Sequence, residues 1–100
     1  MSSTQPFNPR YGSTQSLTPG AGSASVVIDT QQASKQVRIA NTGSSTAYVR
    51  IGSGTQTATA ADYPVPAGNV SIITKDQSHD QLAHIGAGAA LLVTLGEGWI

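Results

Sequence analysis

From Ala24 onward, apolar and polar residues alternate in short runs, each closed by a cluster of turn-forming residues. Residues 35–40 place Val37 and Ile39 on one face and Arg38 on the other. Residues 46–51 place Ala47, Val49 and Ile51 on one face and Tyr48 and Arg50 on the other. Successive side chains of a strand point to opposite faces, so a period of two marks a half-buried strand. The polar cluster Asn41-Thr42-Gly43-Ser44 between the two runs predicts a hairpin, closed by Gly52-Ser53-Gly54. Residues 24–29, 70–74, 82–85 and 90–95 predict further strands, the last two split by Gly86-Ala87-Gly88. Residues 55–61 read as a weak edge strand or one helical turn, and Pro64 and Pro66 exclude a central strand beside them. No window holds helical spacing for two turns. Residues 87–95 come nearest, but glycines precede them and Val93-Thr94 lies inside. The pattern predicts an all-β fold: a single small antiparallel sandwich, jelly-roll-like, of six or seven strands.

If Val26, Ile28, Val37, Ile39, Val49, Ile51, Val70, Ile72, Leu91, Val93 and Leu95 fill that sandwich, then Val27, Ile73 and Leu92 point outward. Apolar residues on the outer face of several strands predict a protein partner. Outward Tyr48 and Arg50 belong to residue types enriched at interfaces. Trp99 closes one end of the sandwich or anchors a contact.

Residues 1–23 break the pattern. They are rich in Ser, Thr, Gln and Gly, and Pro6, Pro9 and Pro19 stiffen them toward an extended path. The expected organisation is a flexible N-terminal arm over 1–23 and a β-sandwich domain over 24–100. Residues 1–23 read either as a disordered tail or as an arm that orders only against another subunit, with Phe7, Arg10, Tyr11 and Leu17 as its anchors.

Composition narrows the function. The 100 residues carry five basic and five acidic side chains, 10% charged against about 25% in an ordinary domain. Zero net charge argues against nucleic acid or an anionic membrane as partner, since both need a basic excess. Arg38 and Arg50, placed on neighbouring strands around Tyr48, are too few for an electrostatic track. The first six residues lack the basic start and apolar stretch of an export signal, and no run reaches the ~20 apolar residues of a spanning helix. A soluble protein made in a cytoplasm is expected. With five aromatics the core is thin, so self-association is expected, a dimer in preference to a trimer.

Candidate chemistry is sparse. No cysteine is present, which removes disulfides, thiolate metal sites and a cysteine nucleophile. Asp76-Gln77-Ser78-His79-Asp80 with His84 is the best cluster, but a strand would send His79 and His84 to opposite faces. The five carboxylates Asp29, Asp62, Asp76, Asp80 and Glu97 are scattered, unlike a glycosidase pair. Gly86-Ala87-Gly88 lacks the third glycine of a dinucleotide loop and precedes a strand. The reading is therefore no enzyme, no metal, no cofactor and no small-molecule substrate.

Residues 35–99 resemble small structural proteins of tailed bacteriophages. The resemblance is carried by Gln36-Val37-Arg38-Ile39-Ala40 with Asn41-Thr42-Gly43, by Thr46-Ala47-Tyr48-Val49-Arg50-Ile51-Gly52, by Thr59-Ala60-Ala61-Asp62-Tyr63-Pro64-Val65-Pro66-Ala67-Gly68 and by Gly96-Glu97-Gly98. In that group, jelly-roll proteins act as cement or decoration proteins on the capsid exterior. The resemblance implies a virion protein that bridges and stabilises major capsid protein subunits, synthesised in the bacterial host cytoplasm. It carries over no catalytic residues. The alternative is a tail- or fibre-associated virion protein, or a glycan-binding β module for host attachment.

Overall fold

The computed structural model describes residues 9–97. Among them are eight strands: β1 (Gln15–Leu17), β2 (Ala24–Val27), β3 (Gln36–Asn41), β4 (Ala47–Gly52), β5 (Tyr63–Val65), β6 (Val70–Thr74), β7 (Gln81–Ile85) and β8 (Leu91–Gly96). No described residue is helical. The strands form two four-stranded antiparallel sheets, ordered β1-β8-β3-β6 and β2-β7-β4-β5. The pairs β1·β8, β2·β7, β3·β6 and β4·β5 are nested, as when one long hairpin is rolled over itself into a jelly-roll-like sandwich.

The alternating runs supply the core. Val37 and Ile39 of β3 and Leu91, Val93 and Leu95 of β8 face Ala47 and Val49 of β4 and Leu82 of β7, with Leu17, Ile28, Val65 and Ala89 sealing the edges. Burying each large aliphatic side chain contributes about 1.5–3 kcal/mol, so this apolar layer holds the two sheets together.

Four sequence expectations change. The runs over 35–40 and 46–51 are not a hairpin. β3 lies in one sheet and β4 in the other, because Asn41 turns the chain across the sandwich. Its Nδ2 donates to the carbonyls of Ser45 and Val65, both at 2.8 Å, and its Oδ1 accepts from the Gly43 and Ala90 N–H groups. The second crossing, 86–90, packs directly on the first. A Cβ on Gly43 would stand 2.5 Å from the Gly88 carbonyl oxygen.

In β6 the faces are reversed. Ile73 packs against the core, whereas Val70 and Ile72 are 50% and 38% exposed. Parity with Lys75 explains this. The Lys75 side chain turns inward to reach Asp29, which carries Ile73 and Ser71 inward with it. Val27 and Leu92 point outward, as the alternation predicts.

Part of the expected arm is sheet. Pro9 bridges Gly96, the Arg10 N–H donates to the Leu95 carbonyl at 2.8 Å, and β1 pairs with Leu91–Val93 of β8. Leu17 therefore fills this chain's own core, where it had been read as an anchor for another subunit. Phe7 and Trp99 lie outside the described residues.

Lastly, Arg38 and Arg50 are not on neighbouring strands; their sheets are opposite layers.

Candidate interaction face

The outer surfaces of the two sheets differ. Over β2-β7-β4-β5, the 53–62 loop lies across the strands and supplies partners for them. Gln56 N–H donates to Ser25 Oγ at 3.1 Å, and Ala58 N–H donates to Ser23 Oγ at 2.8 Å. Ser25 Oγ in turn donates to Gln81 Oε1 at 2.8 Å, and Ala58 is buried. Arg50 is held there, its Nε donating to Gln56 Oε1 at 3.3 Å and its Nη1 lying 3.4 Å from Asp62 Oδ1. Tyr48 is half-buried on the same face. The two residues do point outward, but the loop already occupies the Arg50 guanidinium.

The outer surface of β1-β8-β3-β6 has no such covering among the described residues. Strand register lays Ser16, Leu92, Ala40 and Val70 in one row and Thr94, Arg38 and Ile72 in the next. Leu92, Val70 and Ile72 are exposed large apolar residues. Of the described cations, Arg38 alone has no hydrogen bond or ion pair with the described residues. A guanidinium standing between Thr94 and Ile72 without a described partner is ready for a carboxylate or carbonyl from outside.

Beside it rises Tyr11, 90% exposed. The ring stands on the tight turn Arg10-Tyr11-Gly12-Ser13, where Ser13 N–H donates to the Arg10 carbonyl and Gly12 takes φ +85°. Gly at the third position of such a turn avoids the strain a side chain would meet there. The turn is anchored on every side. Ser13 Oγ donates to the Arg10 carbonyl at 2.6 Å and accepts from the Leu95 N–H at 3.1 Å. Arg10 bridges Glu97 at 3.2 Å and Asp29 at 3.5 Å. An exposed aromatic on a fixed turn can enter a contact at little entropic cost. Pro9, Tyr11, Gly12, Thr14, Arg38 and Thr94 line an open groove of about 320 Å³. The sequence singled out Tyr11 and Arg10. It placed Arg38 beside the wrong strand and so missed that Arg38 and Tyr11 line one groove.

Beneath this face lies a buried charge network. Lys75 Nζ donates to Asp29 Oδ2 at 2.9 Å, and the N–H groups of Ala33 and Ser34 donate to the same oxygen. Burial works to raise the Asp29 pKa, but the Lys75 hydrogen bond and charge and the two backbone donors outweigh it and hold the carboxyl below its ordinary value. Lys75 Nζ also donates to the Asp76 carbonyl at 3.2 Å, and the second Asp29 oxygen, Oδ1, lies 3.5 Å from Arg10 Nη1, so the network ties Arg10 and the Tyr11 turn to the sandwich.

The cluster at 76–84 does not assemble. Ser78 N–H and Oγ donate to Asp76 Oδ1 in a closed turn, Asp80 Oδ1 accepts from Gly54 N–H, and His84 sits inside the sandwich. Among the described residues no three His, Asp or Glu side chains gather as metal ligands.

His84 is a separate matter. It lies on the inner face between Ala24 and Val49, with Nδ1 buried and unpartnered, and desolvation pushes its pKa below the ordinary value of 6.5. The folded state therefore binds fewer protons than the unfolded one, so stability is complete above about pH 6.5 and falls as the pH drops below it. Melting temperatures between pH 7.5 and 5 should show that fall, and His84→Leu should flatten it. Equal slopes in the two proteins would place the pH dependence elsewhere.

Compared with family models, with curated proteins and with solved structures, this chain matches none.

Proposed function

We propose that this protein is a non-enzymatic structural component of a phage virion, a cement or decoration protein that binds the major capsid protein on the outside of the shell. The observation that supports the reading best is the asymmetry of the sandwich. One outer sheet surface is covered by the chain's own 53–62 loop, while the other presents Leu92, Val70 and Ile72 around Arg38 and the fixed Tyr11. Such a surface joins an apolar centre to a charged and an aromatic contact, the residue types that carry most interface energy. The resemblance of residues 35–99 to phage structural proteins points the same way. In this role the protein adds contacts between shell subunits against the outward pressure of packaged DNA, and an acidic or carbonyl group of the capsid protein meets Arg38.

The test is occupancy on purified phage shells. Arg38→Glu and Tyr11→Ala should each lower shell affinity at least about tenfold, a typical loss for truncating an interface anchor. Arg50→Ala, on the covered face, should leave it within about twofold. Equal loss in all three variants, or no binding by the unaltered chain, would refute the docking face. A glycan array is the complementary check, because an exposed tyrosine beside Arg38 and Thr94 is also what a saccharide-binding groove presents. Clean glycan binding abolished by Tyr11→Ala would favour host attachment instead.

A further inference from the structure

Three of the four sheet edges are guarded. β1 and β5 have only three residues each, and β5 carries Pro64, which has no N–H to offer. β2 is tied to β1 by the Gln15 side chain, whose Nε2 donates to the Val27 carbonyl at 3.3 Å. β6 is the exception. Its five residues, Val70-Ser71-Ile72-Ile73-Thr74, include no charge, no proline and four β-branched side chains, and β3 pairs with only one side of it. Long, uncharged β-branched edges are the ones that recruit another strand.

The phase of the β3·β6 ladder shows which groups stay free. Lys75 N–H donates to the Lys35 carbonyl and Asn41 N–H donates to the Asn69 carbonyl, so the pairs at 75, 73, 71 and 69 are the hydrogen-bonded ones. Val70, Ile72 and Thr74 alternate with them and aim their N–H and C=O groups away from β3. No described residue pairs with these groups in a strand ladder.

The sequence of β6 fits its own copy. In an antiparallel pairing about a two-fold axis at Ile72, Ile72 meets Ile72, Val70 meets Thr74 and Ser71 meets Ile73, with no like charges opposed. That register forms up to about six backbone hydrogen bonds between the free groups. The same edge opens on a cleft of about 280 Å³ between the sheets, whose apolar side is Val49, Ile51, Tyr63 and Ile73 and whose polar end is Thr74, Lys75, Asp76 and His79. A second copy brings apolar cover to both the exposed Val70 and Ile72 and this cleft.

We infer that β6 is a homotypic docking edge, through which two copies of this chain join their β1-β8-β3-β6 sheets into one continuous eight-stranded sheet. The arrangement lays two Tyr11–Arg38 grooves on a common surface. It rests on the strand edge and stands whether or not that surface binds a capsid.

Sedimentation of the isolated full chain at tens of micromolar should show a dimer. Ile72→Lys places like charges opposite each other at the axis and should raise the dissociation constant at least about tenfold, with the circular dichroism spectrum unchanged. Because the chain has no cysteine, a single replacement reports only its own copy. Ile72→Cys should cross-link to a covalent dimer under mild oxidation, since hydrogen-bonded antiparallel pairs place their Cα atoms about 5.5 Å apart, within disulfide range. Val27→Cys, exposed on the other sheet, should not. A monomer at these concentrations, a dimer indifferent to Ile72→Lys, or equal cross-linking at positions 72 and 27 would overturn the inference.

Discussion

Replacing Asn41 with Asp should destabilise the protein by about 3 kcal/mol or more, lowering the melting temperature by over about 12 °C. The two side chains have the same shape, so packing is not at issue. What changes is the Nδ2 group that donates to the carbonyls of Ser45 and Val65. An oxygen in its place faces two carbonyl oxygens at a position only 1% exposed, where a new carboxylate is stripped of water. Burying such a charge unpaired is among the few mechanisms that produce large single-site losses. Asn41→Ala should cost about 2–4 kcal/mol, since it leaves buried carbonyls unpaired without adding a charge. Thermal melts of the two variants decide the matter. If Asp is tolerated as well as Asn, the crossing over 42–46 is held by its glycine packing and not by this side chain.

Lys75→Met should cost about 3–5 kcal/mol, because the Asp29 carboxylate remains buried without its ammonium partner. Both side chains are almost wholly inaccessible, 1% and 0% exposed, so solvent does little to weaken the pair. The double variant Lys75→Met with Asp29→Leu should recover part of the loss, and the cycle should show strong coupling between the two sites. The pH dependence follows from the direction of the Asp29 shift. A carboxyl held below its ordinary pKa contributes stability that is present above the unfolded value of 3.8 and is lost as the pH falls through the folded value. The gap between wild type and Lys75→Met should therefore be widest near neutrality and narrow below about pH 4. A gap constant with pH would mean that the lysine acts through packing alone.

The strands with strong alternation, β3, β4 and β8, were legible in the sequence because burial on one face leaves a period-two record. The pairing of those strands was not. A polar turn of five residues serves equally for a hairpin within one sheet and for a crossing between two, and only the buried hydrogen bonds of Asn41 decide between them. β6 holds two competing alternations, Val70 with Ile72 and Ser71 with Ile73. The choice is made by Lys75, whose partner Asp29 is 46 residues away. β1 was hidden for a related reason. Gln15-Ser16-Leu17 has little strand preference of its own and takes its hydrogen bonds from β8. For the interaction face, Tyr11, Arg38 and Leu92 were each visible as residues. Their adjacency depends on the β1-β8-β3-β6 order, which no local pattern encodes.

A cryo-electron reconstruction of phage shells mixed with the full chain tests the central claim most directly. The account predicts β-sandwich density on the outer shell surface, with the β1-β8-β3-β6 sheet turned toward the capsid protein and Tyr11 and Arg38 inside the contact. Bare shells, or a sandwich seated through the 53–62 loop with Arg38 facing solvent, would contradict it.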